Sequence, residues 1–425
     1  MNPLELTDAA PVRSSRIPAA LRERDFRRFW FGETVSLFGD QITLIALPLT
    51  GVLALHASAA EMGYLVAAGI APALVFSLHA GAWLDRRGRR RQTMLVTVVG
   101  RAALLVTIPI AYWLDVLTLA QLYVVSFLIG TLSVLFFVAY TTLFVSLVPR
   151  ERYLEANSLL NGSRAFSYVG GPSVGGLLVQ ALSGPGALIA DAVSFLASAF
   201  SLGSIKPVEP PTEEAEKGHV KAGLRYLWRS PVIRASLLAP ATINFFNFVF
   251  WALFILYATR TLGVRPGVLG LVLGAGAIGG LIGSILTGRI SRRLGVGPAY
   301  VFSCVLFPLP LVLVPLAQGR PYWLILTLLF ASEFLSGFGV MILDIVGGSI
   351  KTALIPDRLR ARVAGAYMVV NYGVRPLGAL AGGALGTWIG LRPTLWIATT
   401  AAIAGVLWLL PSPLWRMREL PEMDE

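Results

Sequence analysis

Twelve long apolar stretches, separated by short polar segments, account for most of the 425 residues of the chain. A stretch of about 20 apolar residues is long enough to cross a hydrocarbon layer about 30 Å thick as an α-helix. The pattern predicts spans at 27–54, 61–84, 93–113, 119–147, 156–181, 186–204, 234–258, 267–289, 298–317, 322–349, 361–388 and 390–411. Membrane-spanning strands would instead give short segments of alternating polarity. We therefore predict an all-α membrane protein with twelve transmembrane helices.

The two halves of the chain share residues at one constant offset. Adding 207 to a residue number in the first half gives the same residue type in the second half at ten positions, without a gap. The pairs are Gly63 and Gly270, Ser77 and Ser284, Gly81 and Gly288, Arg86 and Arg293, Gly88 and Gly295, Gly130 and Gly337, Pro149 and Pro356, Gly171 and Gly378, Gly175 and Gly382, and Gly176 and Gly383. Such a duplication is typical of secondary transporters, whose substrate path runs between the halves. The repeat predicts two pseudo-symmetric six-helix bundles.

The polar segments divide the chain into domains. We expect a cytoplasmic N-terminal tail at 1–26, a six-helix bundle at 27–204, a linker at 205–233, a second six-helix bundle at 234–411 and a cytoplasmic C-terminal tail at 412–425. The linker begins with Pro207, Pro210 and Pro211 and continues with acidic residues, which predicts a solvated tether. Its last part, Val220–Trp228, mixes apolar and basic residues and predicts a short amphipathic helix on the inner membrane surface. A partner-binding switch is the alternative role for this helix.

Composition and charge both favour a membrane location. Hydrophobic residues make up 56% of the chain and charged residues 14%, and the mean hydropathy is +0.71, which excludes an ordinary soluble protein. The net charge of +12 does not indicate nucleic-acid binding, because the basic residues form clusters between the spans. One side of the membrane receives 28 of the 35 lysines and arginines, so the positive-inside rule places both termini in the cytoplasm. We expect a multi-pass protein of the plasma membrane with no cleaved signal peptide.

A basic, glycine-containing loop joins predicted spans 2 and 3. It reads Gly-Ala-Trp-Leu-Asp-Arg-Arg-Gly-Arg-Arg-Arg from Gly81 to Arg91. The glycines allow a tight reversal, and the arginines hold the loop at the anionic inner leaflet. This loop resembles the signature of the major facilitator superfamily, in which the acidic residue latches the two halves together on the cytoplasmic side. The resemblance assigns Gly81, Asp85, Gly88 and Arg89 to a cytoplasmic gate; a purely topogenic loop is the alternative.

The second half carries a related loop, Gly288–Gly295, in which Arg292 replaces the aspartate of the first loop. We predict that the two latches are asymmetric, with Arg292 and Arg293 belonging to the gate. Arg292 is expected to face the acidic start of span 5, at Glu151 or Glu155.

Span 5 contains the segment Gly171-Pro172-Ser173-Val174-Gly175-Gly176. Gly171 and Gly175 are four residues apart and predict a face for close helix packing, while Pro172 loosens the helix. The segment resembles the core of the antiporter motif of the superfamily, although serines occupy the upstream glycine positions of that motif. The resemblance favours export and assigns a role to Gly171, Pro172, Gly175 and Gly176. The alternative is a packing notch shared by importers and exporters.

Shorter patterns extend the resemblance over essentially the whole chain. They are similar to those of the branch of the superfamily that contains macrolide-efflux and enterobactin-exporter-like proteins, the transmembrane secretion effectors. The patterns are Arg24–Trp30, Ser36–Asp40, Val148–Pro149, Leu154–Asn157 and Gly223–Trp228. One departure concerns span 4, where many proton-driven drug exporters of the superfamily carry an arginine before a glycine. No arginine precedes Gly130 in this span, so coupling through that residue is not implied.

Eight ionisable residues lie within predicted spans, where each is costly and therefore a functional candidate. They are the acids Glu33, Asp40, Asp191, Glu333 and Asp344 and the bases Arg101, Arg164 and Arg375. Acids outnumber bases, and a buried carboxyl group without a basic partner tends to hold a proton. This is the chemistry that a proton-coupled carrier needs. The alternative for each acid is a static salt bridge.

Asp40 is the strongest single candidate, because it lies near the middle of span 1. Its repeat equivalent is Asn247 in span 7, where Asn244 is a further candidate, so both halves place a polar group at one depth. Glu33 lies seven residues before Asp40 on the same helix face, and Glu333 is similarly central in span 10.

Arg164 and Arg375 each have two possible roles, whereas Asp344 is assigned to the gate. Arg164 and Arg375 are expected either to bind an anionic group of the substrate or to pair with a buried acid. Asp344 lies toward the cytoplasmic end of span 10, which assigns it to the gate, with Lys351 or the Gly288–Gly295 loop as its partner.

Residues and resemblance together predict a proton-coupled exporter of a drug-like molecule or secondary metabolite, such as a macrolide or a siderophore. The predicted mechanism is alternating access by a monomer surrounded by membrane lipids. A nutrient importer of the same fold and a non-transporting receptor are the alternatives. We expect no enzymatic activity and no cofactor: Gly274–Gly279 fits a dinucleotide motif but lies within a span. No metal site is expected either, because the three histidines lack ligand spacing.

Overall fold

The computed structural model describes residues 18–206, 228 and 230–420. Throughout these residues the chain is helical or irregular and contains no strand, which confirms the all-α prediction. Each predicted span coincides with a helix. These helices are α1 (Arg24–Leu49), α2 (Ala59–Arg87), α3 (Arg90–Trp113), α4 (Leu119–Phe144), α5 (Tyr153–Leu182), α6 (Gly184–Gly203), α7 (Pro231–Leu256), α8 (Pro266–Leu294), α9 (Val296–Leu306), α10 (Tyr322–Leu354), α11 (Asp357–Trp388) and α12 (Leu391–Ile403). The predicted amphipathic helix lies outside the described residues, apart from Trp228.

Within the described part of the chain, nine helical segments are long and apolar enough to cross a membrane. Helices α5, α11 and α12 are not among them. Helix α12 has only 13 residues before it tightens into a 3-10 turn at Ala404–Leu409. The ninth span is also interrupted, because α9 gives way to a 3-10 turn at Leu309–Val312, where Pro308 and Pro310 lack the amide hydrogens that an α-helix needs.

The ends of α2 show how local sequence signals place a helix. Ser58 and Glu61 form a capping box at its start: the Ser58 amide donates to the Glu61 carboxylate at 2.7 Å, and the Glu61 amide donates to the Ser58 hydroxyl at 3.4 Å. At its end, Gly88 has a φ of 62°, a left-handed conformation that favours glycine. The loop glycine therefore turns the chain directly from α2 into α3.

The helices form two bundles that meet along two helix pairs. In the first bundle α1 packs on α5 and α6, α3 packs on α4 and α6, and α2 packs on α4. In the second bundle α7 packs on α11 and α12, and α10 packs on α8 and α9. Between the bundles α5 packs on α8 and α2 packs on α11. The sequence repeat relates α2 to α8 and α5 to α11, so the two contacts between the bundles are equivalent.

The repeat is reproduced in the backbone. Helices α1 and α7 each end in one widened π turn, at Thr50–Ala54 and Tyr257–Thr261, and these turns are also offset by 207 residues. The hydrogen bonds that follow them correspond as well, from the Ala57 amide to the Gly51 carbonyl at 2.8 Å and from the Val264 amide to the Ala258 carbonyl at 2.9 Å. Both halves therefore leave the membrane helix by the same local geometry.

Equivalent glycines hold equivalent helices together. A Cβ atom built on a glycine shows which neighbouring atoms a larger side chain would meet. For three pairs of repeat-related glycines these neighbours are equivalent in the two halves. On α5, Gly171 and Gly175 meet Gln41 and Ile42 of α1; on α11, Gly378 and Gly382 meet Phe248 and Val249 of α7; and Gly130 of α4 and Gly337 of α10 meet the carbonyls of Gly69 and Gly276. Each contact in the first half maps onto its counterpart when 207 is added. These six glycines of the repeat are thus helix-packing positions.

We expect the Gly337→Leu variant to be less stable than the parent protein. The α8 backbone lies directly against Gly337, so a larger side chain must push the two helices apart at a cost of about 1–3 kcal/mol in the free energy of unfolding. Gly348→Leu on the same helix is the matched control, because no atom lies within 4 Å of its Cβ position. Thermal unfolding in detergent, followed by size-exclusion fluorescence, should lower the midpoint only for Gly337→Leu. Equal midpoints would contradict the packing assigned to this glycine.

The two bundles touch each other through glycines on one side of the molecule. A Cβ atom on Gly63 of α2 would lie 2.8 Å from the Cα of Gly383 of α11. A Cβ atom on Gly176 of α5 would lie 3.0 Å from the Cα of Gly270 of α8. Gly270 is the repeat equivalent of Gly63, and Gly383 is the repeat equivalent of Gly176, so the repeat converts each contact into the other. The junction therefore has the pseudo-twofold symmetry predicted from the sequence.

Glycines toward the opposite ends of these helices have no close neighbour. A Cβ atom on Gly81 of α2, Gly162 of α5 or Gly365 of α11 would have no neighbouring atom within 4 Å. These three positions lie toward the side of the molecule on which α1 begins, and the close contacts of Gly63 and Gly176 lie toward the other side. We refer to these two sides as the open side and the closed side.

Candidate functional site

An ion pair between α1 and α3 lies at the centre of the first bundle. The Asp40 carboxylate is 3.4 Å from the Arg101 guanidinium, which also donates to the Ser133 hydroxyl of α4 at 3.5 Å. The two side chains differ in environment: that of Arg101 is 3% exposed, whereas that of Asp40 is 42% exposed. The pair therefore joins a fixed, buried cation to an acid that remains accessible.

Two aromatic rings enclose the Arg101 guanidinium. Its central carbon is 4.7 Å from the ring centre of Phe136 on α4 and 4.3 Å from that of Phe195 on α6. The aromatic faces stabilise the buried cation. Two of its nitrogens, Nε and one terminal nitrogen, are buried and have no acceptor among the described residues. Arg101 thus depends on Asp40 for its charge compensation.

Two further acids and one further arginine surround this pair. Glu33 is buried, and its charged neighbours are Asp40, Arg101 and Arg164. Asp191 of α6 is fully buried and accepts hydrogen bonds from the Thr43 hydroxyl and, at 2.9 Å, from the Ser194 hydroxyl. The structure therefore brings together the predicted candidates of the first half, with three acids against two arginines. Such a cluster retains an excess negative charge unless it holds a proton.

Glu333 of α10 lies apart from this cluster. Its side chain is buried against α8, where a Cβ atom on Gly276 would be 3.4 Å from its Oε2 atom. Its other oxygen, Oε1, is buried without a hydrogen-bond partner in the described part of the protein, and the hydroxyl of the adjacent Ser332 is equally unpartnered. Glu333 is thus packed inside the protein, away from lipid, and its carboxyl group lacks a cationic partner within 4.0 Å among these residues.

The second bundle contains a polar cavity of about 280 Å³ between α7, α9, α10 and α11. One amide links three of its polar side chains: Oδ1 of Asn371 accepts from Nδ2 of Asn244 at 3.0 Å and from the Arg375 guanidinium at 3.3 Å. The remaining lining residues are Pro240, Tyr300, Phe307, Val340, Leu343, Asp344, Gly347, Lys351, Tyr367 and Tyr372. Two predicted candidates, Asn244 and Arg375, therefore meet at one site.

Two other candidates of this half have different surroundings. Asp344 lines the cavity and is exposed. The ammonium group of Lys351 lies 4.0 Å from the ring centre of Tyr367. Within the described residues neither side chain forms an ion pair at 4.0 Å or less. Asn247 is buried, and its Oδ1 atom has no hydrogen-bond partner among those residues. The polar group at the depth of Asp40 is thus present in both halves, but only Asp40 has a charged partner.

The two loops of the predicted gate lie at the ends of α2 and α8. Gly81 and Gly88 occupy the end of α2, whereas the side chain of Asp85 lies outside the described part of the structure. On the open side Arg89 donates to Gln92 at 3.5 Å. The corresponding side chains of the second loop, Arg292 and Arg293, are exposed.

The predicted contact of Arg292 with Glu151 or Glu155 is absent from the described residues of this conformation. Instead, the Glu155 carboxylate caps a short 3-10 turn at Ala19–Arg22, accepting from the Ala19 amide at 2.6 Å and from the Ala20 amide at 3.0 Å. In this conformation Glu155 therefore binds the N-terminal segment.

The glycine-rich segment of α5 contacts helices of both bundles. Gly171 and Gly175 face α1, as the four-residue spacing predicts, whereas Gly176 faces α8 of the other bundle. The Pro172 carbonyl lies against Gly270, so the proline is also at the junction. The segment therefore connects the helix that carries Asp40 to the contact that closes one side of the molecule.

The chain matches one family model and several known relatives over most of its length. The family model described as transmembrane secretion effector matches residues 15–424. The multidrug efflux pump Tap of Mycolicibacterium fortuitum is 27% identical over 405 residues, covering 90% of this chain and 93% of Tap. The MFS-type transporter YfiS of Bacillus subtilis is 27% identical over 372 residues, covering 84% of this chain and 86% of YfiS.

Solved structures share the fold at lower identity. The nucleoside transporter NupG superposes with a TM-score of 0.70 at 13% identity and covers 91% of this chain and 98% of its own. A bacterial homologue of the iron transporter ferroportin in an inward-facing state gives a TM-score of 0.73 at 16% identity and covers 91% of this chain and 98% of its own. Both similarities extend over the two bundles and support the fold.

Proposed function

Because the chain belongs to the transmembrane secretion effector family of the major facilitator superfamily, we propose that it exports a drug-like molecule or secondary metabolite in exchange for protons. Members of this superfamily are membrane transporters, so the protein is a multi-pass transporter and not an enzyme. Proton coupling is inferred from the site, whereas the export direction and the substrate class are inferred from relatives and from the Gly171–Gly176 segment. We place the protein in the plasma membrane as a monomer with both termini in the cytoplasm.

The pair of Asp40 and Arg101 carries the proposal of proton coupling. Its buried arginine is fixed between two rings, while its acid is accessible, so the acid is the member that can exchange a proton. A protonated Asp40 releases Arg101, whose cation then attracts the carboxylate of Glu33 more strongly. In this proposal, proton uptake rearranges the ion pairs of α1 and thereby its packing on α5. Protons would enter on the outer side and leave on the cytoplasmic side.

Alternating access is supported by the asymmetry of the bundle contacts. Under the predicted topology the open side faces the cytoplasm, so the conformation described is inward-facing. A cargo molecule would enter the space between the bundles from this side. Rocking of the bundles would then break the glycine contacts of the closed side and bring the gate loops at Asp85 and Arg292 together.

The direction of transport and the cargo are inferred from relatives and from motif. The matching pumps are named for multidrug efflux, and the Gly171–Gly176 segment favours export. Large amphipathic compounds such as macrolides or siderophores remain our proposed substrates. A nutrient importer, the alternative function, would have the same fold but would move its substrate in the opposite direction.

Accumulation assays in an efflux-deficient bacterial host test this function. We expect cells that express the protein to accumulate less of at least one macrolide or siderophore than cells with empty vector. A protonophore should abolish that difference, because the proton gradient would drive export. Equal accumulation across the panel would contradict export of these compounds. Higher accumulation in the expressing cells would instead identify an importer.

A further inference from the structure

The cavity of the second bundle contains two cations, Arg375 and Lys351, and one acid, Asp344. Arg375 lines this cavity, and among residues 18–206, 228 and 230–420 no carboxylate lies within 4.0 Å of its guanidinium. Its Nε–H group is buried and has no acceptor in the same set of residues. A cation inside a membrane protein is costly unless it is paired. Among these residues the Nε–H donor of Arg375 therefore has no acceptor, and its charge is offset only by Asp344, from beyond ion-pair distance.

Neighbouring side chains hold this arginine in place without neutralising it. Its guanidinium lies 4.2 Å from the ring centre of Tyr372 and 5.4 Å from that of Phe248, and it donates to the Asn371 amide at 3.3 Å. Asn244 in turn donates to the same Asn371 oxygen at 3.0 Å. A guanidinium held by a ring and an amide is pre-organised to bind an oxyanion such as a carboxylate or a sulfonate.

We propose that this cavity is a subsite for an anionic group of the transported molecule, with Arg375 as its anchor. The inference rests on the proposed transport function and specifies its substrate class: aromatic or otherwise apolar compounds that carry a carboxylate or sulfonate. Arg375 binds the anion through charge-assisted hydrogen bonds. The apolar body of the compound packs on the rings and aliphatic side chains that line the rest of the cavity.

The other charged residues of the cavity are consistent with this assignment. Lys351 contributes a second cation, seven residues beyond Asp344 on α10 and about 10 Å nearer the open side. Asp344 is the one acid among the lining residues and is exposed. Two cations against one acid leave the cavity with a net positive charge that favours a monoanion.

The first bundle has no equivalent of this site. Subtracting 207 places Tyr168 at the position of Arg375 and Phe144 at that of Lys351. The shared helix packing therefore does not require these cations, since the same packing is achieved with aromatic residues in the first half. Their presence in one half is explained by a ligand that binds there.

Two fluorescent probes that differ in one charged group test the proposal. Anilinonaphthalene sulfonate is an aromatic anion, and N-phenylnaphthylamine is the same molecule without the sulfonate. We would titrate each probe into the full-length protein in lipid nanodiscs and subtract the signal of empty nanodiscs. Arg375→Gln should weaken binding of the sulfonate probe by about tenfold or more and leave the neutral probe unchanged. Arg416→Gln, which removes a surface arginine stacked on Trp415 outside the cavity, should change neither.

A competition experiment on the parent protein removes any dependence on how the variant folds. Naphthalene-1-sulfonate should displace the bound sulfonate probe at concentrations about tenfold lower than the neutral naphthalene-1-sulfonamide. Equal displacement by both competitors would overturn the proposal, as would unchanged sulfonate binding in Arg375→Gln or equal loss of both probes. These measurements require no transport. An anion preference in a protein that exports nothing would refute the proposed function and leave the subsite intact.

Discussion

Asp40→Asn is expected to abolish proton-driven export. Asparagine has nearly the same shape as aspartate but carries no titratable proton, so the accessible member of the ion pair is lost while the packing of α1 is kept. We expect the protonophore-sensitive difference in accumulation to fall by about tenfold or more, as for other essential proton-transfer groups. The measurement is the accumulation of a compound that the parent protein exports, at equal amounts of protein in the membrane.

Asp115→Asn is the control for this substitution. Asp115 is an exposed aspartate in the loop after α3 with a φ of 56°, which asparagine also tolerates. Its replacement should leave export unchanged. Undiminished, protonophore-sensitive export in Asp40→Asn would exclude Asp40 as the proton carrier and shift attention to Glu333, a buried acid that forms no ion pair among the described residues.

The companion variant Arg101→Gln tests whether the two residues act as a unit. Alone, it leaves Asp40 without its buried cation and removes the group that both aromatic rings enclose, so it should lower thermal stability as well as export. The double variant with Asp40→Asn should be no less active than either single variant, because members of one network are not additive.

Gly176→Leu is expected to reduce export to the level of empty vector without unfolding the protein. A Cβ atom at this position would already lie 3.0 Å from the Cα of Gly270 in the other bundle, so a leucine side chain prevents the bundles from closing on that side. Closure of this side is needed once in every cycle of alternating access. Gly162→Leu on the same helix is the control, since no atom lies within 4 Å of its Cβ position.

Cysteine labelling can report the conformation of the Gly176→Leu variant. The one native cysteine, Cys304, is buried, so its replacement by serine gives a background free of reactive thiols. A cysteine introduced at Gly365, on the open side of α11, should react readily with a maleimide in the parent and more slowly in Gly176→Leu. Wild-type export together with wild-type labelling would show that the glycine contact does not control closure. The repeat-related substitution Gly383→Leu should behave like Gly176→Leu.

The sequence repeat predicted more of the packing than any single motif did. Glycines that recur after 207 residues occupy the contacts between α1 and α5, between α2 and α4 and between the two bundles, and their counterparts do the same in the second half. This was predictable because a glycine within a transmembrane helix is most readily explained by a close neighbour. Helices α5 and α11, which the repeat relates to each other, are not among the segments that are long and apolar enough to cross a membrane, although the pattern of apolar stretches predicted a span at each.

Site chemistry was predictable only as a set of candidates. The rarity of charge within apolar spans identified Asp40, Glu33, Asp191 and Arg101, but it did not indicate that Asp40 pairs with Arg101. The pairing of Arg292 with Glu151 or Glu155 that the sequence suggested is not formed among the described residues, and Glu155 instead caps the N-terminal turn. Contacts across the gate depend on the conformation, which a sequence does not specify.

The length and apolarity of each stretch determined the number and approximate position of the helices, because crossing a hydrocarbon layer is a local requirement on consecutive residues. The constant offset likewise determined that the two halves pack alike. Only the tertiary structure decided that Arg101 reaches Asp40 between two rings and that Arg375 lines a cavity without a carboxylate partner among the described residues. These outcomes depend on how each helix is rotated about its own axis, and that rotation is set by all of its neighbours together.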